Sequence, residues 1–289
     1  MTRDADFEKS LNLNLCNAVK TAENLKQFPD IVDCIIKSFQ DSSFRRGKIV
    51  ANNLNFATSI ELFHNAALIH DDIIDKAQIR RFQKSVPASI GEEKALLTAN
   101  ILYSIAFQIF KKEVNALANA NRFSDENAKK ITEFYLWVFQ QVQVGQLKDI
   151  KLEKERLVLD NYEKIETDIY DIIFKKTTTY TFILPEALAH FAENGTMISK
   201  QVYKEASEKG FSFQIKDDWE NVFLETDKTG KEQMSDIYSK KKTVLLIQTL
   251  KTARSKDAQK IIALYNSSNE ISSADAQFIK NCMKELETA

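Results

Sequence analysis

The fold is indicated most clearly by the stretch ELFHNAALIHDDIID, residues 61–75. It ends a longer segment, from about Lys48 to Asp75, in which apolar residues recur at helical spacing along one face. Other segments of this kind cover roughly residues 92–118, 126–150, 160–184, 196–222 and 240–265. The chain of 289 residues has only six glycines and three prolines, which leaves few turn formers for a multi-stranded sheet. The sequence therefore predicts an all-α fold.

The segments between the predicted helices show no sign of a domain boundary. No internal repeat of fixed period and no low-complexity linker marks a boundary. With 289 residues, 44% of them hydrophobic, the chain is able to form one large core or two modest ones. We therefore predict a single helical domain over residues 1–289.

Charge and cysteine usage restrict the partners. The formal net charge is −1, so the sequence gives no electrostatic case for nucleic acid as the main partner. The cysteines, Cys16, Cys34 and Cys282, lie far apart without metal-ligand spacing and fit a reducing compartment. No apolar run is long enough to span a bilayer, so no stable membrane insertion is expected. A soluble, cytoplasmic protein is the expectation.

The first acidic cluster comprises Asp71, Asp72 and Asp75. Asp71 and Asp75 share a helix face, with Cβ atoms about 6 Å apart. Three acids in five residues usually form a solvated helix end. Here Ile73 and Ile74 lie among the acids, and partly buried like charges are unfavourable unless a cation binds them. Mg²⁺ prefers oxygen ligands and often joins one or two carboxylates to substrate phosphates. The cluster is therefore a candidate Mg²⁺ site.

Two arginines follow the first acidic cluster. Arg80 comes five residues after Asp75, and Arg81 follows it directly. A guanidinium stays charged and matches phosphate oxygens in a bidentate geometry. The alternative is a basic loop that merely follows an acidic helix. Acids for metal and arginines for phosphate together predict a polyphosphate site.

A second acidic cluster lies in another apolar helical segment and comprises Asp217, Asp218 and Glu220. We expect it to form a second metal-binding wall that faces the first. Two such walls hold several Mg²⁺ ions around one diphosphate and neutralise a leaving group.

The ordered series of motifs resembles the trans-isoprenyl diphosphate synthase (polyprenyl synthetase) family over roughly residues 60–250. One motif is weak evidence, whereas a series in order at matching intervals is strong. The matching positions are residues 61–75, Arg80-Arg81, Gly91, Gly145-Gln146 with Asp149, Lys176-Thr177, Phe213-Gln214, Asp217-Asp218, Gly230-Lys231 and Asp236.

This resemblance implies an antiparallel helical bundle around a central cavity, usually a homodimer, with Mg²⁺ as cofactor. The implied metal ligands are Asp71, Asp72, Asp75, Asp217, Asp218 and Asn221. The implied contacts to the allylic diphosphate are Arg80, Lys176, Thr177, Gln214, Lys231 and Lys241. His64 and Arg81 would contact the second substrate, isopentenyl diphosphate. Asp71, Asp72, Lys176 and Asp217 would be the catalytic groups.

The reaction implied by the family is condensation of the two diphosphates. Metals and cationic side chains stabilise the diphosphate that leaves when the allylic C–O bond ionises. The double bond of isopentenyl diphosphate then attacks the cation, and a proton is lost. Bulky aromatics one turn before the first acids stop chain growth early in the family. The small residues Ala66 and Ala67 therefore predict a product of C20 or longer.

The upstream part of the chain departs from the family pattern. The family has a Gly-Gly-Lys-x-x-Arg motif that binds isopentenyl diphosphate, and the nearest match is residues 45–48 with Ala51 in the arginine position. If Lys48 and His64 lay on one helix, they would be about 24 Å apart, too far for one diphosphate. Either a helix has been deleted and the site rebuilt, or the site is damaged.

The second acidic cluster also departs from the pattern. Its last position is Asn221 instead of Asp, and asparagine is a neutral oxygen ligand. Eukaryotic geranylgeranyl diphosphate synthases resemble this sequence at that position. Asp217, Asn221 and Glu225 have i, i+4, i+8 spacing, which is similar to the metal-binding triad of class I terpene synthases.

The sequence is therefore compatible with three functions. The leading one is a chain-elongating prenyltransferase. The second is a terpene synthase on the same scaffold, which ionises a prenyl diphosphate and cyclises or rearranges it. The third is a weakly active regulatory subunit, against which the five aspartates of the two clusters argue.

Overall fold

The computed structural model describes residues 2–225 and 233–285. The α-helices of this part are α1 Thr2–Thr21, α2 Pro29–Ser38, α3 Arg45–Ile49, α4 Leu54–Ile74, α5 Val86–Ile90, α6 Glu92–Asn119, α7 Asp125–Lys154, α8 Tyr162–Ile173, α9 Leu184–Asn194, α10 Lys200–Phe223, α11 Ser235–Tyr238, α12 Val244–Thr252, α13 Ser255–Asn266 and α14 Ser273–Lys284. A π-helix, Phe174–Ile183, joins α8 to α9, and short 3₁₀ turns occupy Glu23–Leu25 and Leu159–Asn161. The all-α prediction is confirmed.

The strands of the described residues form one antiparallel hairpin, β1 Ile79–Arg80 and β2 Gln83–Lys84. Its two turn residues, Arg81 and Phe82, have φ of 52° and 63°. Turns of this kind join tight hairpins and normally contain Asn or Gly, because a Cβ atom disfavours the left-handed region. The turn therefore stores local backbone strain immediately after the first acidic cluster.

Two predicted segments are each divided into two helices in the structure. The segment from Lys48 to Asp75 is interrupted: α3 ends at Ile49, and α4 begins after Asn53, whose side chain accepts a hydrogen bond from the Phe56 N–H at 2.9 Å. Asparagine in that position caps a helix N-terminus, so the break is local in origin. The segment 240–265 is likewise divided, because α12 ends at Thr252 and α13 starts at Ser255.

The contacts of the chain divide it into two compact units. Unit 1 contains the residues up to Trp137 together with Tyr180–Ala206, and unit 2 contains Val138–Thr179 together with the residues from Ser207 onward. The single domain over residues 1–289 stays a prediction.

Unit 1 is built around α4, which packs chiefly against α6. Buried aromatic side chains pack at and beside this contact: the ring centroids of Phe63 in α4 and Tyr103 in α6 are 5.1 Å apart, and those of Phe110 in α6 and Tyr135 in α7 are 4.3 Å apart. Offset and edge-to-face pairs of this kind contribute about 0.5–1.5 kcal/mol beyond their area burial. They hold the helix that carries the first acidic cluster.

Unit 2 has an aliphatic core. Ile165 and Ile169 of α8 pack with Ile247 of α12, Ile261 of α13 and Ile279 of α14. This core supports α8 and α10, which lead into the polar residues described below. No helix within residues 2–225 and 233–285 combines the length and apolarity needed to cross a membrane.

Candidate functional site

The first acidic cluster lies at the C-terminal end of α4, in unit 1. Asp72 is 2% exposed, Asp71 is half-buried, and Asp75 is exposed. The backbone carbonyls of Asp71 and Asp72 accept the N–H groups of Asp75 and Ala77, which end the helix. The acids therefore stand where the chain leaves the core.

Arg80 is the immediate cationic partner of these acids. Its Nε donates to Asp72 Oδ1 at 2.8 Å, its Nη2 donates to the same oxygen, and Nη2 lies 3.6 Å from Asp71 Oδ2. Burial raises the pKa of Asp72, although Arg80 opposes that shift. Burial opposes the charge of Arg80 as well, but the carboxylates hold its pKa above the ordinary value. Arg80 therefore stays cationic and occupies the space beside the acids.

His64 lies on α4 and is almost fully buried. Its Nδ1 is 3.3 Å from the hydroxyl of Tyr180. Burial, reinforced by the nearby charges of Arg46 and Arg81, holds the pKa of His64 well below its usual range. His64 is consequently a neutral hydrogen-bonding group at neutral pH, not a cation.

Arg46, which the sequence analysis did not assign to the site, lies beside Tyr180. Its Nη2 donates to Tyr180 Oη at 3.0 Å and to Thr181 Oγ1 at 2.8 Å, and its guanidinium lies 4.6 Å from the centroid of the Tyr180 ring. The buried carboxylate of Glu61 accepts the Gly47 N–H at 2.8 Å. Nothing in the sequence links Arg46 to Tyr180, which lies 134 residues later.

The expected separation of Lys48 from His64 applied only to a single helix, and the two residues lie on separate helices, α3 and α4. The Gly47 N–H donates to the carboxylate of Glu61, which lies one turn before His64 on α4. The upstream motif therefore lies close to His64. The cation of this motif that lies near His64 is Arg46, whereas Lys48 forms an ion pair with Glu8 at the surface.

Arg81 and the two alanines complete the predicted residues of unit 1. Arg81 Nη1 donates to the Ser38 carbonyl at 3.0 Å, and burial lowers the pKa of its guanidinium. Ala66 is fully buried, and Ala67 is half-buried.

In unit 2, a chain of hydrogen bonds links the π-helix to the second acidic cluster. Thr177 Oγ1 donates to Gln214 Oε1 at 2.7 Å, and Gln214 Nε2 donates to Asp218 Oδ1 at 2.8 Å. Next to them, Lys176 Nζ donates to Asp149 Oδ2 at 2.8 Å. The structure therefore brings together five residues from motifs that lie far apart in the sequence: Asp149, Lys176, Thr177, Gln214 and Asp218.

Asp218 is the most perturbed acid of unit 2. It is 7% exposed, and burial raises its pKa to about 7, with the neighbouring charges of Asp236 and Asp217 adding to the shift. Gln214 and Lys241 oppose it. A cation bound here would relieve this unfavourable charge.

Asn221, predicted as a metal ligand, is engaged with the chain that follows. Its Nδ2 donates to Ser235 Oγ at 2.7 Å, and its Oδ1 accepts the Asp236 N–H at 3.1 Å. Its metal role stays a prediction. Glu225 is exposed and lies beyond Phe223, where α10 ends, so the expected i, i+4, i+8 face is wrong at its last position. Lys231 lies outside the described residues.

Among the described residues, no three acidic, histidine or cysteine side chains converge as a group that would hold a metal ion by themselves. The donor types nevertheless fit Mg²⁺. Each unit offers hard carboxylate oxygens from adjacent aspartates, and Mg²⁺ commonly takes one or two carboxylates while phosphates and water supply the other ligands.

Comparisons with known proteins agree on one family. Residues 29–285 match the family model described as polyprenyl synthetase. The short chain isoprenyl diphosphate synthase of Methanothermobacter thermautotrophicus is 30% identical over 76% of this chain and 63% of its own length. The geranylgeranyl diphosphate synthase of Saccharolobus solfataricus is 30% identical over 71% of this chain and 58% of its own length. The chain thus spans less than two thirds of these two relatives.

Solved structures share the fold. The geranylgeranyl pyrophosphate synthase of Corynebacterium glutamicum, complexed with isoprenyl diphosphate and magnesium, has a TM-score of 0.75 at 22% identity and covers 97% of this chain and 86% of its own. The octaprenyl pyrophosphate synthase of Helicobacter pylori has a TM-score of 0.78 at 18% identity, covering 98% of this chain and 87% of its own.

Proposed function

The chain belongs to the polyprenyl synthetase family, and we propose that it is a Mg²⁺-dependent trans-prenyltransferase. It condenses isopentenyl diphosphate with an allylic diphosphate and releases a prenyl diphosphate of C20 or longer. The observation that carries the proposal is the pairing of buried Asp72 with Arg80 at the end of α4. A buried carboxylate beside a permanent cation, with Asp71 and Asp75 adjacent, supplies ligands for metal and diphosphate at one place.

The proposed roles follow from charge and hydrogen bonding. Arg80 holds the allylic diphosphate by its guanidinium fork when released from Asp72. In unit 2, Lys176, Thr177 and Gln214 offer one cation and two polar groups to a diphosphate, and Lys231 and Lys241 are assigned to diphosphate from the resemblance. Asp71, Asp72 and Asp75 in unit 1, and Asp217 and Asp218 in unit 2, are the proposed Mg²⁺ ligands, and bound Mg²⁺ would neutralise diphosphate charge as the C–O bond ionises.

The second substrate is proposed to lie beside His64 and Arg81. Because His64 is neutral, it contributes a hydrogen bond, and Arg81 contributes the charge. The aromatic core around Phe63 supports exclusion of water, which would otherwise quench the allylic cation. The electron pair of the broken C–O bond leaves with the diphosphate, the double bond of isopentenyl diphosphate forms the new C–C bond, and one proton is released.

Two broader parts of the proposal concern assembly and location. A homodimer is proposed from the resemblance, and the exposed side chains of Leu96, Leu97 and Leu136 in unit 1 are available to a second copy. A cytoplasmic location is proposed because the cysteines Cys16, Cys34 and Cys282 are free.

One assay tests the function. The purified protein is incubated with Mg²⁺ and geranyl or farnesyl diphosphate, with and without isopentenyl diphosphate. Elongated diphosphates that form only with both substrates are expected. Hydrocarbons or alcohols from the allylic substrate alone would replace the proposal with a terpene synthase. Activity only after addition of an active synthase from the same source would replace it with a regulatory subunit.

A further inference from the structure

The π-helix Phe174–Ile183 is an unusual carrier for two candidate ligands, Lys176 and Thr177. In a π-helix each N–H bonds five residues back, and such turns are rare and frequently occur at functional sites. They need a neighbouring structure that keeps them from relaxing to α-helix. The part of this helix up to Thr179 lies in unit 2, where two flanking helices provide that structure.

Gly145 of α7 packs directly against the backbone of the π-helix. A Cβ atom at Gly145 would lie 2.7 Å from the amide nitrogen of Lys176 and 3.0 Å from Lys175 Cβ. Backbone atoms cannot rotate aside as a side-chain end does. Only glycine therefore allows α7 to come this close.

Gly210 of α10 comes equally close to the π-helix, at the side chain of Thr178. A Cβ atom there would lie 2.6 Å from both Oγ1 and Cγ2 of Thr178. Thr178 is fully buried, and its hydroxyl has no hydrogen-bond partner among the residues that the structure describes. Packing against Gly210, and not hydrogen bonding of the hydroxyl, therefore holds Thr178 in place.

Each glycine lies one helical turn before the residue that contacts a candidate ligand. Gly145 precedes Asp149, which accepts from Lys176, and Gly210 precedes Gln214, which accepts from Thr177. Residues four apart share a helix face. The close approach at each glycine consequently sets the distance at which the polar partner one turn later meets the π-helix.

We propose that Gly145 and Gly210 are positioning residues that clamp the π-helix between α7 and α10 and orient Lys176 and Thr177 for diphosphate. The identity of the ligand rests on the proposed function. The clamp itself rests on the two close approaches and the paired hydrogen bonds one turn away.

The clamp is tested by Gly145→Ala and Gly210→Ala. Exposed positions on the same helices, Gln140→Ala in α7 and Ser212→Ala in α10, are the matched controls. We expect kcat/KM to fall about 10- to 100-fold in the glycine variants, because misplacement of about 1 Å has effects of that size. The loss should lie mainly in KM for the allylic diphosphate, and the controls should match the parent.

A binding measurement separates positioning from folding. Calorimetry with inorganic pyrophosphate and Mg²⁺ should show at least tenfold weaker binding to both glycine variants, whereas unfolding midpoints report stability. Gly210→Ala with Thr178→Gly removes all three Thr178 atoms that the new Cβ would meet, at 2.6, 2.6 and 2.8 Å, and should recover part of the pyrophosphate affinity. Glycine variants that fold and bind pyrophosphate like the parent, or a double variant without recovery, would overturn the clamp.

If the glycine variants do not fold, Thr178→Ala alone decides. It leaves a gap against Gly210 and should weaken pyrophosphate binding, and unchanged affinity would overturn the proposal. The proposed function fails separately: a parent protein that binds Mg²⁺ and pyrophosphate but elongates no prenyl chain leaves the clamp testable. A parent that binds no pyrophosphate overturns the role assigned to Lys176 and Thr177.

Discussion

Arg80 donates two hydrogen bonds to a single oxygen of Asp72, and that carboxylate is almost fully buried. In this arrangement the arginine supplies the positive charge that a buried acid requires. The same two residues are assigned to diphosphate and metal, so the ion pair and the ligands compete for them. Binding of metal and diphosphate must therefore replace the pair.

The first prediction concerns this pair. Arg80→Ala leaves Asp72 buried without its cation and should lower the free energy of unfolding by about 3 kcal/mol in buffer with EDTA. Mg²⁺ should stabilise this variant more than the parent, since it takes the place of the missing charge. Chemical denaturation with and without Mg²⁺ measures both effects.

The control for Arg80→Ala is the double variant with Asp72→Asn. Removing both charges should restore most of the lost stability and abolish the extra response to Mg²⁺. Equal Mg²⁺ responses in the parent and in Arg80→Ala would contradict the exchange of arginine for metal.

The second prediction concerns Asp218, whose pKa is about 7 against an ordinary value of 3.8. At pH values between the two pKa values, the folded protein keeps this proton and the unfolded chain has lost it. The stabilising contribution of Asp218 is therefore present at low pH and is lost as pH rises toward 7. Between pH 4.5 and 7, the metal-free parent should lose roughly 1.4 kcal/mol per pH unit relative to Asp218→Asn. Denaturation in EDTA across this range tests the slope, and parallel curves for the two proteins would contradict it.

The third prediction distinguishes the two possible roles of Asn221. Its side chain bridges Ser235 and the Asp236 N–H, and it is 6% exposed. Asn221→Asp places a further buried negative charge near Asp218, so metal-free stability should fall by about 2 kcal/mol. Unfolding in EDTA provides the measurement, with Ser235→Ala as a milder control that removes only one bond. A stable Asn221→Asp protein with stronger Mg²⁺ binding would make residue 221 a ligand position instead.

The fourth prediction concerns product length. Phe at Ala66 or Ala67 should shorten the prenyl chain if these residues form the floor of the growing chain's cavity. Because Ala66 is fully buried, Ala66→Phe should also overpack the core at a cost of about 1–3 kcal/mol, whereas half-buried Ala67 should accept the ring. Ala67→Phe is therefore the cleaner test, with Ala67→Ser as the size-matched control. Chromatography of dephosphorylated products gives the result, and an unchanged distribution would exclude this wall.

By itself, the sequence determined the helical class, most helix positions and the residues at which charge accumulates. Periodicity and capping are local: α6 and α7 begin and end close to the predicted bounds, and even the missed break before α4 follows from Asn53 as a cap. The family motifs are likewise short, so they were visible without knowledge of the packing.

Only the tertiary structure decided what those residues contact. The π-helix was predicted as ordinary helix within 160–184, because its register depends on Gly145 and Gly210 from other helices. The contact of Arg46 with Tyr180 spans 134 residues and has no local signal. The pairing of Asn221 with Ser235 likewise needed the fold. Helix formation follows local hydrogen bonds and side-chain period, whereas partner choice depends on packing between distant segments, which the order of residues does not display.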